Sequence, residues 1–118
     1  MADKLYTGSQ SNRYRVEVLD ITGKPHGVRR YGLRARQDLE RFTRHNFNWG
    51  CCDQQSRQLA LALLADAVGD QLAKRWNFRF WQEVVSQFAR SGWTVTSWEI
   101  TEWVARCVRQ EAGSCGGK

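Results

Sequence analysis

The sequence has one proline and two histidines in 118 residues, and no long hydrophobic run. The longest unbroken apolar stretch, Leu59 to Ala65, is seven residues, far short of the 18 or so that cross a bilayer. Residues 1–8 carry one lysine and no apolar segment, so no secretory signal is expected there. With 42% hydrophobic residues and a single proline, the composition excludes a disordered chain. The expected address is cytoplasmic, with no membrane partner.

Paired chemistry is also missing. Neither His26, in a turn beside Pro25, nor His45, in a basic loop, sits near a nucleophile in a motif that would make it a catalytic base. The glycines are scattered at turns, so no glycine-rich phosphate loop is present. Asp66 and Asp70 lie four apart on one helical face, where like charges usually mark a solvated helix end. The four cysteines are the adjacent Cys51 and Cys52, then Cys107 and Cys115. Their spacing suits neither a disulfide framework nor a tetrahedral zinc site. Four reduced thiols are expected, with Cys107 in the core. No metal site, no cofactor and no catalytic residue is expected.

What is present is positive charge. Eighteen lysines and arginines stand against 12 acids, a net of +6. The excess is concentrated in residues 1–48, where ten basic side chains meet five acidic ones. Arginine predominates, and its planar fork suits phosphate, carboxylate and flat rings. A basic half of this kind points to an acidic partner, or else to a solubilising face.

Residues 13–20 alternate, with Tyr14, Val16 and Val18 on one side and Arg13, Arg15 and Glu17 on the other. That period of two predicts a half-buried strand. Turn residues at 22–27 and an extended pattern from Val28 to Leu33 complete a hairpin over 13–33. Leu5 to Thr7 could add a short strand, with residues 1–12 otherwise a frayed tail. Leu39 and Phe42 support one to two helical turns. Helices are expected over 54–69, capped by Asp53, over 71–89, and over 97–111, opened by a Thr96–Glu99 capping box. Trp93 to Val95 reads as a short extended link that pairs with the hairpin. The tail 113–118 frays. The sum is a single α+β domain spanning 1–118, with a short amino-terminal antiparallel sheet packed on about three helices.

The candidate contact surface follows from that hairpin. If Tyr31 and Leu33 face inward, Arg30 and Arg34 emerge with Arg13 and Arg15, and Arg36, Arg41 and Arg44 follow nearby. Tryptophans on helical stripes read as core. Trp49, in a loop beside the arginines, is the aromatic candidate for the same surface.

From Phe47-Asn-Trp49-Gly50 through the Gln58 to Asp66 run, and on to Phe80, Val84, Val85, Trp93, Ile100 and Trp103, the chain resembles a small family of uncharacterised proteins carried on plasmids, prophages and other mobile elements. The Cys51 to Ser56 segment departs from the glycine-rich helix start of that family. The resemblance implies a mobile-element context without a mechanism. The expected function is therefore a non-enzymatic accessory protein that inhibits a host machine by direct binding, of the anti-CRISPR or other anti-defence type. Its partner would be a host defence protein or nucleoprotein complex with an acidic surface. Two alternatives stand beside it: a nucleic-acid-binding module using the arginine face, and an enzyme assembled from groups that no motif reveals.

Overall fold

The computed structural model describes residues 3–12, 14–23 and 27–116. Four strands, β1 (Lys4–Ser9), β2 (Arg15–Gly23), β3 (Gly27–Gly32) and β4 (Gly92–Thr96), form one antiparallel sheet in the order β3-β2-β1-β4. Three helices, α1 (Gln54–Val68), α2 (Asp70–Glu83) and α3 (Ser97–Gly116), follow or flank β4 in the chain. This is the expected α+β arrangement.

The alternation in β2 works as anticipated. Val16 and Val18 are buried, as are Tyr6 on β1 and Trp93 and Val95 on β4, and the helices cover this face. Val18 lies opposite both Tyr6 and Tyr31. Gly8 stands opposite Trp93, and a Cβ on Gly8 would fall 2.5 Å from the indole. The missing side chain is what lets that indole lie flat on the sheet.

Several boundaries differ from expectation. Residues 4–9 are no tail: β1 is an inner strand that pairs with β2 on one side and β4 on the other. Its period is too short to stand out in the sequence, and its partner β4 is more than 80 residues away. The one to two helical turns expected around Leu39 and Phe42 are only a turn at 37–39. The second helix stops at Glu83 rather than 89, and a 3-10 turn at Val85–Gln87 redirects the chain towards β4. The last helix runs on to Gly116, past the expected end at 111. The hairpin turn at 24–26, with His26, and Arg13 fall outside the described residues, as does the side chain of Cys115.

The α1 helix is the pillar of the core, with every residue from Gln58 to Ala65 buried. Asp53 caps it as expected, accepting from the Ser56 amide at 2.8 Å. Gly69, at φ 98°, ends it and leads straight into α2. The capping box of α3 is also formed: the Glu99 amide donates to Thr96 Oγ1, and the Thr96 amide donates to Glu99 Oε1.

The polar residues of α1 do structural work rather than face solvent. Gln58 is fully buried. Its Oε1 accepts from the Phe42 amide at 2.8 Å, and its Nε2 donates to the carbonyls of Ala35 and Glu40. One side chain thus satisfies the inner backbone of the long segment between β3 and α1. Asp66, expected on a solvated helix end, is instead half-buried under the sheet. It accepts from Tyr6 Oη at 2.7 Å, Tyr31 Oη at 2.8 Å and Lys4 Nζ at 3.0 Å. Burial and the neighbouring carboxylate push both phenols up, so they stay protonated as donors. Burial opposes the Lys4 charge, and Asp66 outweighs it and raises the lysine.

Candidate binding groove

The Phe47-Asn-Trp49-Gly50 segment is where chain and core meet. Phe47 and Trp49 are buried, Trp49 completely. The Trp49 indole Nε1 donates to the Arg90 carbonyl at 3.1 Å, and its ring lies edge-on to Trp93 at 5.5 Å. Gly50 has φ 71°, and a Cβ there would meet Arg90 Cγ at 2.7 Å and the Phe88 carbonyl at 2.8 Å. Only glycine fits both the dihedral and the space. Trp49 is therefore a core plug and no contact residue for a partner, because a loop indole with a carbonyl in reach can bury its polar atom at little cost.

Trp49 does support a residue nearer the surface, the partly buried Tyr14. Tyr14 rests on it, ring centroids 4.8 Å apart and tilted by 47°. Tyr14 has φ 61°, an unusual value for a bulky side chain, and such strain costs about 1–3 kcal/mol. Its hydroxyl accepts from Gln10 Nε2 at 3.2 Å.

Tyr14 stands between two cavities, of about 420 and 330 Å³, which share Tyr14, Asn46 and Phe47. They read as one trough across the end of the sheet. Arg15 and Arg44 line its first part, with His45 and Gln37, and Arg90 lines the second, with Asn48 and Gln55. No aspartate or glutamate among the described residues lines either cavity. Among the described residues, Arg15, Arg44 and Arg90 have no carboxylate within ion-pair distance.

The trough walls are held by side-chain amides, one of them from the start of α1. Gln55 Nε2 donates to the Asn46 carbonyl at 2.7 Å, and Asn48 Nδ2 donates to Asp53 Oδ2 at 2.8 Å. Gln37 Nε2 donates to the Thr43 carbonyl at 2.7 Å. Arg57 lies over the Phe42 ring at 4.1 Å, fastening the same segment to the helix from outside.

The expected arginine face does not assemble. Tyr31 and Leu33 do turn towards the helices, but Arg15 and Arg30 are separated on the open sheet face by the Glu17–Gly32 pair. That face is mixed, with Leu5, Thr7, Glu17, Leu19 and Arg30 around one shallow depression. Arg34 lies beyond the end of β3, in a separate cleft that also contains Asp38 and Asp66. Arg36, at φ 56°, is held by Asp38 at 3.0 Å and Asp70 at 3.1 Å. A guanidinium with two carboxylates is poorly placed to take a third anion. Arg41 is exposed and lines neither trough cavity. Of the proposed residues, the structure brings together Arg15 and Arg44.

Sequence reasoning missed Arg90, Tyr14, Asn46 and Gln37. The position of Arg90 depends on a tertiary hydrogen bond across 41 residues, from Trp49, for which no local pattern exists. The tryptophans otherwise behave as expected, with Trp76, Trp81, Trp93 and Trp103 buried; Trp98 is the exception, half exposed. Cys107 is buried, and burial pushes its thiol up. Cys51 is partly exposed and Cys52 exposed, just before the Asp53 cap.

The chain belongs to a family of unknown function, DUF6166, whose pattern it matches over residues 6–106. The match extends well to the amino-terminal side of Phe47, so it includes the sheet as well as the helices. No curated protein and no solved structure matches.

Proposed function

For a member of a family without an assigned activity, we propose a role in binding rather than catalysis, with an anionic macromolecule seated in the Arg15–Arg44–Arg90 trough. One observation carries this reading: three guanidinium groups line a concave surface that, among the described residues, has no acidic one. Arginines left without carboxylates on a folded domain gain most from an external anion, since desolvation is partial and the fork is preorganised. Groups held at one concave site also focus the field of the basic chain.

The resemblance to mobile-element proteins supplies the setting. There, the anionic partner is a host nucleoprotein complex, and the domain inhibits it by occupying its nucleic-acid path, as anti-CRISPR and other anti-defence proteins do. Counting plaques on cells that carry different immune systems, with and without the expressed domain, tests that setting; unchanged restriction across the panel removes it.

The binding role has its own test. Wild-type protein should retain a fluorescent polyanion, and the Arg15→Gln, Arg44→Gln, Arg90→Gln triple variant should lose it with an unchanged melting temperature. Equal binding by the two proteins would place the anion elsewhere.

A further inference from the structure

We propose that the trough takes a single-stranded nucleic acid, with one base stacked on Tyr14 and neighbouring backbone phosphates on Arg15, Arg44 and Arg90. This deepens the binding role just described and rests on it.

Three features favour a single strand over other polyanions. The first is the distribution of groups: each cavity has its own cations, Arg15 and Arg44 in one and Arg90 in the other, and the two share the Tyr14 ring. A strand offers a partner to each, with a phosphate on each side of a base, and proteins that bind single strands combine a basic groove with stacking rings. An acidic peptide would have no use for the shared ring.

The second is the support of that ring. Trp49 backs Tyr14 at 4.8 Å, and the backbone holds the residue at φ 61°. Glycine or asparagine would adopt this dihedral with less strain, so a tyrosine here calls for a reason in its ring. Strain of this kind collects at ligand sites.

The third is the polar complement. Asn46 is exposed and lies beside Tyr14 in both cavities, and Gln37 lies further along. Carboxamides can both donate to and accept from a base edge. A duplex keeps its bases stacked on each other, so it could offer this trough only phosphates.

Fluorescence anisotropy with a labelled 12-nucleotide oligo-dT, the matching duplex and heparin, between about 50 and 200 mM salt, tests the inference. The single strand should bind best, at least about tenfold tighter than the duplex, with a log–log salt slope near −2 for three phosphate contacts. Tyr14→Asn tolerates the dihedral and removes the ring; it should weaken single-strand binding about tenfold and leave the salt slope unchanged. Tyr14→Phe, which keeps the ring, should bind like wild type. Arg44→Gln with Arg90→Gln should make the slope shallower by between one and two. Circular dichroism melts of each variant separate lost binding from lost fold. Duplex and heparin bound as tightly as the strand, with Tyr14→Asn neutral, would overturn the single-strand inference and leave the anion-binding role standing. No binding of any of the three at 50 mM salt would overturn both.

Discussion

Trp49 donates its indole hydrogen to the carbonyl of Arg90 at 3.1 Å, and this one bond ties the loop before α1 to the turn before β4. The same indole packs against the tilted ring of Tyr14. Both functional groups of the trough's second half thus depend on a residue that a partner could not reach. Trp49→Ala should destabilise the fold by about 3–5 kcal/mol, read as a shift in the urea midpoint. Trp49→Phe should cost less, about 1–3 kcal/mol, mainly the unpaired Arg90 carbonyl and lost volume. A Trp49→Ala protein of wild-type stability would show that the indole is not the plug described.

Gln58 is the second concealed support. Replacing it with leucine keeps the volume and removes every hydrogen bond to the segment from Ala35 to Thr43. The Phe42 amide and the Ala35 and Glu40 carbonyls would be left facing an apolar helix, at about 1–3 kcal/mol for each group that water cannot reach. A loss of at least about 3 kcal/mol is expected, with faster hydrogen exchange at the Phe42 amide. An unchanged exchange rate would mean that the segment holds its shape without the glutamine.

Gly50→Ala should lose about 1–3 kcal/mol from the dihedral alone, and more if Arg90 cannot move from the space a Cβ would need. Because the displaced group is Arg90 itself, polyanion binding should weaken as well. Calorimetry and anisotropy on the same sample check the two effects together.

Acid should unfold the domain through its capping carboxylate. Burial opposes ionisation of Asp53, but hydrogen bonds from Asn48 and Ser56 outweigh it, and its pKa is depressed. A carboxyl depressed in the folded state stabilises above its unfolded value, about 3.9 for aspartate, and the gain is lost as pH falls through the folded value. Stability should be level from pH 7 to about 5 and decline below about 4. Asp53→Asn, which still caps a helix, should flatten part of that decline, and at neutral pH it should cost the stability that the depressed carboxylate supplies there. A urea midpoint followed from pH 7 to 2 in both proteins decides it.

The elements that were legible in the sequence are those whose signals are local. The alternation of Val16 and Val18, the Asp53 cap, the Leu–Ala run of α1 and the Thr96–Glu99 box each lie within a few residues, and each is in the fold. β1 was hard to read because its strand character comes from two partners, one of them β4. Asp66 looked like a polar helix end because a sequence does not show which phenol will need an acceptor. The arginine face failed for a related reason. Period two fixes the side of a strand on which a residue emerges, but the carboxylates that capture Arg36 come from Asp38 and, across the fold, Asp70. Charge pattern identified a basic half; only packing selected Arg15, Arg44 and Arg90 from it.

The account stands most directly on where an anion lands. Amide chemical-shift mapping with an added oligo-dT strand should move residues 14–16, 33–37, 44–48 and 90, and leave Leu5, Thr7, Leu19 and Arg30 on the open sheet face unmoved. Shifts centred on that open face, or none at any residue, would contradict it.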